Sequence, residues 1–242
     1  LPEIEKAETP LLKVEHLTLK GVFSDISFEL MPKEILGITG LLGSGRTELA
    51  LSLFGELLID KGKIFVEGKE IKIKRIGDAL KHGIAYVPDD RVNQGLFLPQ
   101  SIGDNLVATI IDRLTAAFGF VNHRQAEKTQ AHWIERLEIK TPSKNLAVES
   151  LSGGNQQRVV LAKWLASQPK ILILNGPTVG VDVGSKAEIH QLIRTIASQG
   201  IGVLLISDDL PELIQTCHRI LLMRNGRIME EFQRSDLSEE KL

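Results

Sequence analysis

The sequence almost lacks cysteine, since Cys217 is the only one among 242 residues. A single thiol excludes an intrachain disulfide and a metal site built from paired cysteines, and it is typical of a protein from a reducing compartment. We therefore expect Cys217 to be a small buried side chain and not a reactive thiol.

An excess of positive charge and a long apolar run are also missing. The formal net charge is −2, so the electrostatic footprint of a dedicated nucleic-acid binder is absent. No uninterrupted apolar run approaches the roughly 20 residues that a transmembrane helix needs, and we expect any membrane role to come through a partner. The composition, 43% hydrophobic and 25% charged, is that of a globular chain with a full core.

The first ten residues differ in composition from the remainder. The stretch LPEIEKAETP, residues 1–10, is mostly polar and holds two prolines, which is typical of an interdomain linker. We therefore expect the chain to be a piece of a longer protein, with one domain over residues 11–242.

A glycine-rich stretch, ILGITGLLGSGRTELALSLFG at residues 35–55, predicts a strand, a loop and a helix. Such a loop turns backbone N–H groups towards an anion, and the helix adds its positive end. The spacing GxxGxGRT is one residue from the P-loop pattern, with Arg46 in place of lysine and Thr47 retained as a hydroxyl for magnesium. A glycine turn without a ligand is the alternative. The predicted phosphate-binding residues are Gly40, Leu41, Leu42, Gly43, Ser44, Gly45, Arg46 and Thr47.

The hydrophobic pattern predicts an α/β fold with three parts. Alternation over residues 12–30 and 63–73 indicates a small antiparallel β subdomain. Short apolar runs that alternate with helices indicate a mainly parallel sheet, and residues from about 92 to 150 form an inserted helical lobe. Phe23 is the only aromatic residue ahead of the glycine loop that is placed to stack on a purine; we expect it to pack between strands, with stacking left open.

A second glycine pair opens another predicted helix at LSGGNQQRVVLAKWLA, residues 151–166. Ser152 is placed to cap this helix, whose N-terminal end is a second candidate anion site. An LSGG sequence at this place in the chain resembles the signature motif of ABC-type ATPases. The order of P-loop, signature, apolar strand and PTVGVD turn is similar to that family over residues 12–231, so the implied fold is an ABC-type P-loop NTPase core.

The amino-acid sequences of the motifs resemble one branch of the family more closely. GRTEL, VPDDR, LSGGNQQ and PTVGVDVGSK are similar to the second nucleotide-binding domain of monosaccharide importers, in which two ABC domains are fused in one polypeptide. The resemblance implies that ATP lies between the P-loop of one domain and the signature of the other. The residues implied to act in trans are Leu151, Ser152, Gly153, Gly154 and Asn155.

Several positions depart from the family's pattern. The magnesium aspartate and the catalytic glutamate are replaced by Asn175 and Gly176, and the switch histidine by Asp208. The usual glutamine after the strand at residues 84–87 is also missing, whereas Asp182 matches the interface aspartate. We therefore expect a degenerate half that binds nucleotide, hydrolyses it weakly or not at all, and completes the site of its twin.

The resemblance also implies cofactors and partners. ATP and magnesium, the latter weakly held by Thr47, are the expected cofactors. Expected partners are a fused or paired ABC domain, transmembrane permease subunits that contact the lobe and residues 89–94, and, indirectly, a sugar-binding protein. The chain is expected on the cytoplasmic side of the membrane, peripherally bound and without nucleic acid. A soluble ABC protein acting on ribosomes or nucleic acid, and a regulatory ABC module without hydrolysis, are the alternatives.

Overall fold

The chain divides into two compact units in a computed structural model that describes residue 1, residues 9–115 and residues 120–234. The first unit comprises Leu1–Tyr86, Lys170–Gly176 and His190–Leu242, and the second comprises Val87–Pro169 and Pro177–Ile189. The predicted linker at residues 1–10 falls largely outside the described residues.

Ten strands and eight α-helices have the following bounds within the described residues. The strands are β1 Leu12–Leu19, β2 Phe23–Leu30, β3 Ile35–Thr39, β4 Lys61–Val66, β5 Lys69–Ile71, β6 Ile84–Val87, β7 Ile171–Asn175, β8 Gly202–Ile206, β9 Arg219–Arg224 and β10 Arg227–Gln233. The helices are α1 Arg46–Phe54, α2 Ile76–Lys81, α3 Ile102–Val107, α4 Ile111–Leu114, α5 His123–Arg136, α6 Gly153–Leu165, α7 Val183–Ser198 and α8 Leu210–Thr216.

Both predicted sheets are present. Four strands form an antiparallel sheet in the order β2-β1-β4-β5, and six form the main sheet in the order β10-β9-β3-β8-β7-β6. Strand β3 pairs in parallel with β8 and β9, and β7 pairs in parallel with β8. The β9–β10 hairpin turns at Asn225 and Gly226, which both have positive φ, as the sequence predicts. The α/β fold class with a mainly parallel sheet is thus confirmed.

Helices dominate the second unit, and side-chain caps fix where two of them begin. Ser101 Oγ accepts the N–H of Asp104 at α3, and Asn122 Oδ1 accepts the N–H of Gln125 at α5, which satisfies donors that a helix start leaves unpaired. Trp133 of α5 is buried, as its apolar stripe predicts. In the part of the chain that the structure describes, no helix is both long and apolar enough for a bilayer span. Cys217, in the first unit, is buried.

Lys163 of α6 is unusual among lysines because it is buried, with only 5% of the residue exposed. Its ammonium donates a hydrogen bond to the carbonyl of Gly95. The rings of Phe97 and Trp164 lie 5.9 Å and 5.4 Å from the nitrogen, close enough for cation–π attraction. Burial lowers the pKa of Lys163 to about 8, because the charged form loses its hydration.

The pKa of Lys163 makes the stability of the protein depend on pH. The folded protein loses this proton near pH 8, whereas the unfolded chain holds it up to the ordinary value of 10.5. Between these values the unfolded state binds more protons, so the free energy of unfolding rises with pH. Relative to Lys163→Met, we expect the wild-type free energy of unfolding to increase by about 3 kcal/mol across this range, as measured by urea unfolding.

The matched control is Lys128→Met, which removes an exposed lysine from α5 in the same unit. The difference in the free energy of unfolding between wild type and Lys128→Met is expected to change much less with pH. If the difference in the free energy of unfolding between wild type and Lys163→Met stayed constant from pH 8 to pH 10.5, the lowered pKa of Lys163 would be wrong.

Candidate functional site

The parallel register of the main sheet brings three site segments to one edge. Ile206 of β8 pairs with Ile38 of β3 on one side and with Asn175 of β7 on the other. The residues that follow these strands are the glycine loop, Gly176 and Asp208. The structure therefore places the predicted phosphate loop beside Asn175, Gly176 and Asp208, at the carboxyl edge where open α/β sheets bind ligands.

The glycine loop has the geometry of an anion cradle. Gly45 precedes α1 with φ 92°, and no side chain caps this helix, so its first N–H groups remain available to an anion. Ser44 is buried, yet its Oγ has no hydrogen-bond partner among the described residues. A Cβ at Gly40 would lie 2.7 Å from that oxygen. The close approach of these atoms requires glycine at position 40, and the unpaired buried hydroxyl of Ser44 fits a bound phosphate. At the rim, Leu41 and Leu42 are 81% and 100% exposed.

Arg46 lies against the backbone of its own loop. Its Nη1 donates to the Gly40 carbonyl at 2.5 Å and to the Ser207 carbonyl at 3.3 Å. Its Nη2 lies 3.5 Å from the carboxylate of Asp208. The arginine of the glycine loop and Asp208 are therefore paired. The negative charge of Asp208 compensates the cation that would otherwise attract phosphate.

The two residues at the end of β7, Asn175 and Gly176, carry no carboxylate. Asn175 is buried, and its amide nitrogen donates to the hydroxyl of Tyr86 at 3.3 Å. Gly176 has φ 53°, a left-handed conformation that favours glycine. Because a carboxamide carries no charge and glycine no side chain, neither residue supplies a carboxylate for a metal ion or for water.

The donor set at this edge fits magnesium poorly. No cluster of three or more histidine, cysteine or acidic side chains occurs in the described ranges. Thr47 is half-buried at the start of α1, and its hydroxyl is the remaining oxygen ligand predicted from the sequence. Magnesium prefers one or two carboxylates together with phosphate oxygens, so the site fits phosphate better than it fits the metal ion.

A buried network that sequence patterns do not reveal holds the segment after β8. Ser207 Oγ donates to Glu212 Oε2 at 2.6 Å, and Glu212 Oε1 lies 2.9 Å from His190 Nε2. All three residues are buried. Since the Ser207 carbonyl accepts from Arg46, this network fixes one of the anchors of the phosphate-loop arginine.

A cavity of about 660 Å³ is bordered by the turn between β1 and β2 and by Asn225 of the β9–β10 turn. A Cβ at Gly45 would come 3.2 Å from the carbonyl of Val22, which lines this cavity. Phe23 also lines it but is 3% exposed, so its ring packs in the interior and offers little surface for base stacking. The cavity is lined by Thr18, Lys20, Gly21, Val22, Phe23, Ser24, Asp60, Lys61 and Asn225.

The LSGG segment opens α6 as the sequence predicts. Ser152 is the cap residue, and its Oγ accepts from the N–H of Asn155 at 3.5 Å and from its side-chain amide at 3.1 Å. Asn155 in turn accepts the N–H of Lys140 at 2.8 Å. Gly154 is required by close packing, since a Cβ there would lie 2.6 Å from Ser185 Oγ. These hydrogen bonds thus hold the start of α6 in place.

Asp182 directly precedes α7 and lies beside the start of α6. Its Oδ1 accepts the N–H of Ser185 at 3.0 Å, and the hydrogen bonds from Ser185 lower the pKa of this carboxyl. A cavity of about 320 Å³ opens here, with both positive and negative side chains. It is lined by Lys140, Ser152, Gly154, Asn155, Arg158, Asp182, Gly184, Ser185 and Glu188.

Curated relatives match nearly the whole chain. It is 44% identical over 239 residues to the xylose import ATP-binding protein XylG of Geobacillus kaustophilus, covering 96% of this chain and 47% of that protein. It is 42% identical over 241 residues to a putative ribose/galactose/methyl galactoside import ATP-binding protein of Rhizobium etli, with 98% and 46% covered. The chain therefore spans about half the length of the curated relatives it matches.

Solved structures share the fold. A nucleotide-free ATP-binding cassette from an ABC transporter superposes with a TM-score of 0.82 at 22% identity, covering 96% of both chains. The cbiO1 protein of Clostridium perfringens superposes with a TM-score of 0.80 at 24% identity, covering 97% of this chain and 92% of that chain. A family profile described as ABC transporter matches residues 23–179. Together with the close relatives, this match shows that the chain belongs to the ABC transporter family.

Proposed function

We propose that this chain is a nucleotide-binding domain of an ABC-type monosaccharide importer, and that it is the half of the pair with a degenerate hydrolytic site. The relatives it matches are named as import ATP-binding proteins for xylose, ribose or galactose, which supports the importer over a ribosomal or nucleic-acid role. They are about twice as long as this chain, which supports a second domain in the same polypeptide.

The phosphates of ATP would be held mainly by backbone groups of this chain. The uncapped start of α1, the buried hydroxyl of Ser44 and the hydroxyl of Thr47 are the binding groups. Arg46 would add its charge only by giving up part of its contact with Asp208. Binding through backbone N–H groups does not need the side chains that are missing, so nucleotide binding is compatible with a weak hydrolytic site.

Hydrolysis at this loop would be slow, because Asn175 and Gly176 carry no carboxylate. The proposal of a degenerate half rests on this observation. Asn175 directs its amide nitrogen to Tyr86 and Gly176 has no side chain, so no residue at the end of β7 orients water as a base. Loss of a general base alone costs about 10²–10⁴-fold in rate. Losses in one catalytic unit do not add, so restoring Glu at position 176 alone is insufficient, and φ 53° would strain it there.

The segment from Leu151 to Asn155 would serve the nucleotide of the partner domain. The capped start of α6 presents N–H groups and the Ser152 hydroxyl, which suit a terminal phosphate. Asp182 would contribute to the same domain interface. Transport ATPase activity would therefore belong to the assembled transporter, with this chain on the cytoplasmic side of the membrane, docked on permease subunits and linked through them to a sugar-binding protein.

Nucleotide binding at the glycine loop is testable through Asp208. We expect Asp208→Asn to raise the affinity of the chain for ATP by about two- to fivefold, because it removes a carboxylate 3.5 Å from Arg46 Nη2 that competes with phosphate. The size is that of an exposed ion pair, up to about 1 kcal/mol. Isothermal titration calorimetry with and without magnesium measures it.

Gly45→Leu identifies the loop as the site in the same assay. A side chain there meets the Val22 carbonyl and forces φ 92° on a non-glycine residue, so we expect ATP binding to be lost. ATP binding unaffected by Gly45→Leu, or weakened by Asp208→Asn, would contradict the phosphate-loop assignment.

The proposal that hydrolysis occurs at the partner domain's nucleotide, and not at the glycine loop of this chain, is testable in the full transporter. We expect Ser152→Arg to reduce ATPase activity and sugar uptake by more than 100-fold, because a large cation at the start of α6 blocks approach of the partner domain. Arg46→Ala is expected to leave at least half of both activities, since the site that it perturbs is not the hydrolytic one. Equal damage from the two substitutions, with assembly intact, would mean that both sites turn over.

A further inference from the structure

A buried hydrogen-bonded network, which we call the β8–α8 network, consists of Ser207, Glu212 and His190. All three residues belong to the first unit and are buried. Ser207 directly follows β8, Glu212 lies in α8 and His190 lies in α7. Each oxygen of the Glu212 carboxylate has a partner, because Oε2 accepts from the Ser207 hydroxyl and Oε1 lies next to His190 Nε2. The network therefore joins three elements of the chain.

A buried polar network contributes little to stability compared with apolar side chains of the same volume. A carboxylate loses its hydration on burial, and hydrogen bonds offset this loss only when every partner is well placed. A network with well-placed partners does, however, hold the groups that are bonded to it in one position. We therefore expect the β8–α8 network to fix a segment of the backbone.

The segment that the network fixes is the short link from β8 to α8. The Ser207 hydroxyl oxygen accepts the N–H of Asp209 at 3.1 Å, and the Ser207 N–H donates to the Ile38 carbonyl at 3.2 Å. Asp209 Oδ1 accepts the N–H of Glu212 at 3.1 Å, which caps α8. Both neighbours of Asp208 in the chain are thus hydrogen-bonded, so the backbone at Asp208 has little freedom to move.

This fixed backbone determines where the carboxylate of Asp208 lies, because an aspartate side chain is short. The carboxylate is 3.5 Å from Arg46 Nη2, and the Ser207 carbonyl accepts from Arg46 Nη1 at 3.3 Å. An exposed ion pair is normally weak, since ordering two side chains costs entropy. Here the backbone that carries one partner is already ordered, so the pair loses less entropy when it forms. The network thus strengthens the contact that competes with phosphate for Arg46.

We propose that the β8–α8 network is a positioning device that holds Asp208 against Arg46 and thereby lowers the affinity of the glycine loop for ATP. This inference rests on the proposed function, in which the glycine loop binds the phosphates of ATP. The network side chains do not touch the nucleotide in this scheme, and they act through the backbone of the β8–α8 link. Because ATP and the network compete for the same cation, each weakens the hold of the other on Arg46.

The test compares Ser207→Ala with the wild type in the whole 242-residue chain. The substitution removes a hydroxyl that bonds both Glu212 and the N–H of Asp209, and it leaves His190 beside Glu212. We expect the affinity for ATP, measured by isothermal titration calorimetry, to rise about two- to fivefold, the size of an exposed ion pair. The Tm is expected to fall, because buried hydrogen bonds are lost. General damage to the site would lower the affinity instead.

The matched control is Ser52→Ala, which makes the same change at another buried serine of the first unit. The Oγ of Ser52 has no hydrogen-bond partner among the described residues. We therefore expect Ser52→Ala to bind ATP with the wild-type affinity. An equal rise in affinity in Ser52→Ala and Ser207→Ala would overturn the inference, because the effect would not depend on the network.

A double-mutant cycle with Asp208→Asn shows whether Ser207 acts through Asp208. Without the carboxylate, the network has no charge to hold against Arg46. In the Asp208→Asn background we therefore expect Ser207→Ala to raise the ATP affinity no further. Additive effects of the two substitutions would place the action of Ser207 elsewhere and would overturn the positioning role.

The remaining outcomes separate this inference from the proposed function. An unchanged or reduced ATP affinity in Ser207→Ala overturns the positioning role of the network. If Gly45→Leu, titrated in parallel, binds ATP as tightly as the wild type, the phosphate-loop assignment fails and the inference fails with it. If Gly45→Leu loses ATP binding and Ser207→Ala does not gain affinity, the proposed function stands and only this inference is lost.

Discussion

Parallel pairing of β3, β8 and β7 is the constraint on which the proposed nucleotide site of the first unit depends. The shared partner Ile206 fixes the register, so that the glycine loop, Asn175 and Asp208 emerge at the same edge of the sheet. Strands buried on both faces tolerate little change in register, because a slip would displace several fully buried aliphatic side chains. The edge therefore persists even where the side chains that it presents have changed.

This constraint explains how binding and hydrolysis can separate in one fold. Phosphate binding relies on backbone N–H groups and on the helix start, which follow from the path of the chain. Hydrolysis relies on carboxylates at single positions, and in the proposed function these are the positions of Asn175 and Gly176. Arg46 Nη2 lies 3.5 Å from the carboxylate of Asp208, so each charge has the other as its neighbour.

Much of the architecture could be predicted from the sequence, because it is local. Hydrophobic alternation predicted the antiparallel strands, short apolar runs predicted the buried ones, and polar residues ahead of two helices predicted the caps Ser152 and Asn122. The turn at Asn225 and Gly226 follows from their tolerance of positive φ. By contrast, the network of His190 with Glu212 joins residues distant in sequence. No periodicity marks such pairs, so only the folded chain reveals them. The burial of Lys163 is hidden for the same reason.

The most direct test of a degenerate half is to locate the product of a single turnover. The full transporter is loaded with radiolabelled photoreactive ATP, and vanadate traps the product after one hydrolysis. Light then attaches the label to the protein, and digestion of the protein into peptides identifies the labelled loop. We expect trapped ADP at the P-loop of the partner domain, with uncleaved ATP at residues 40–47 of this chain. Trapped ADP at residues 40–47 would contradict the central claim, because it would show hydrolysis without a carboxylate at Asn175 and Gly176.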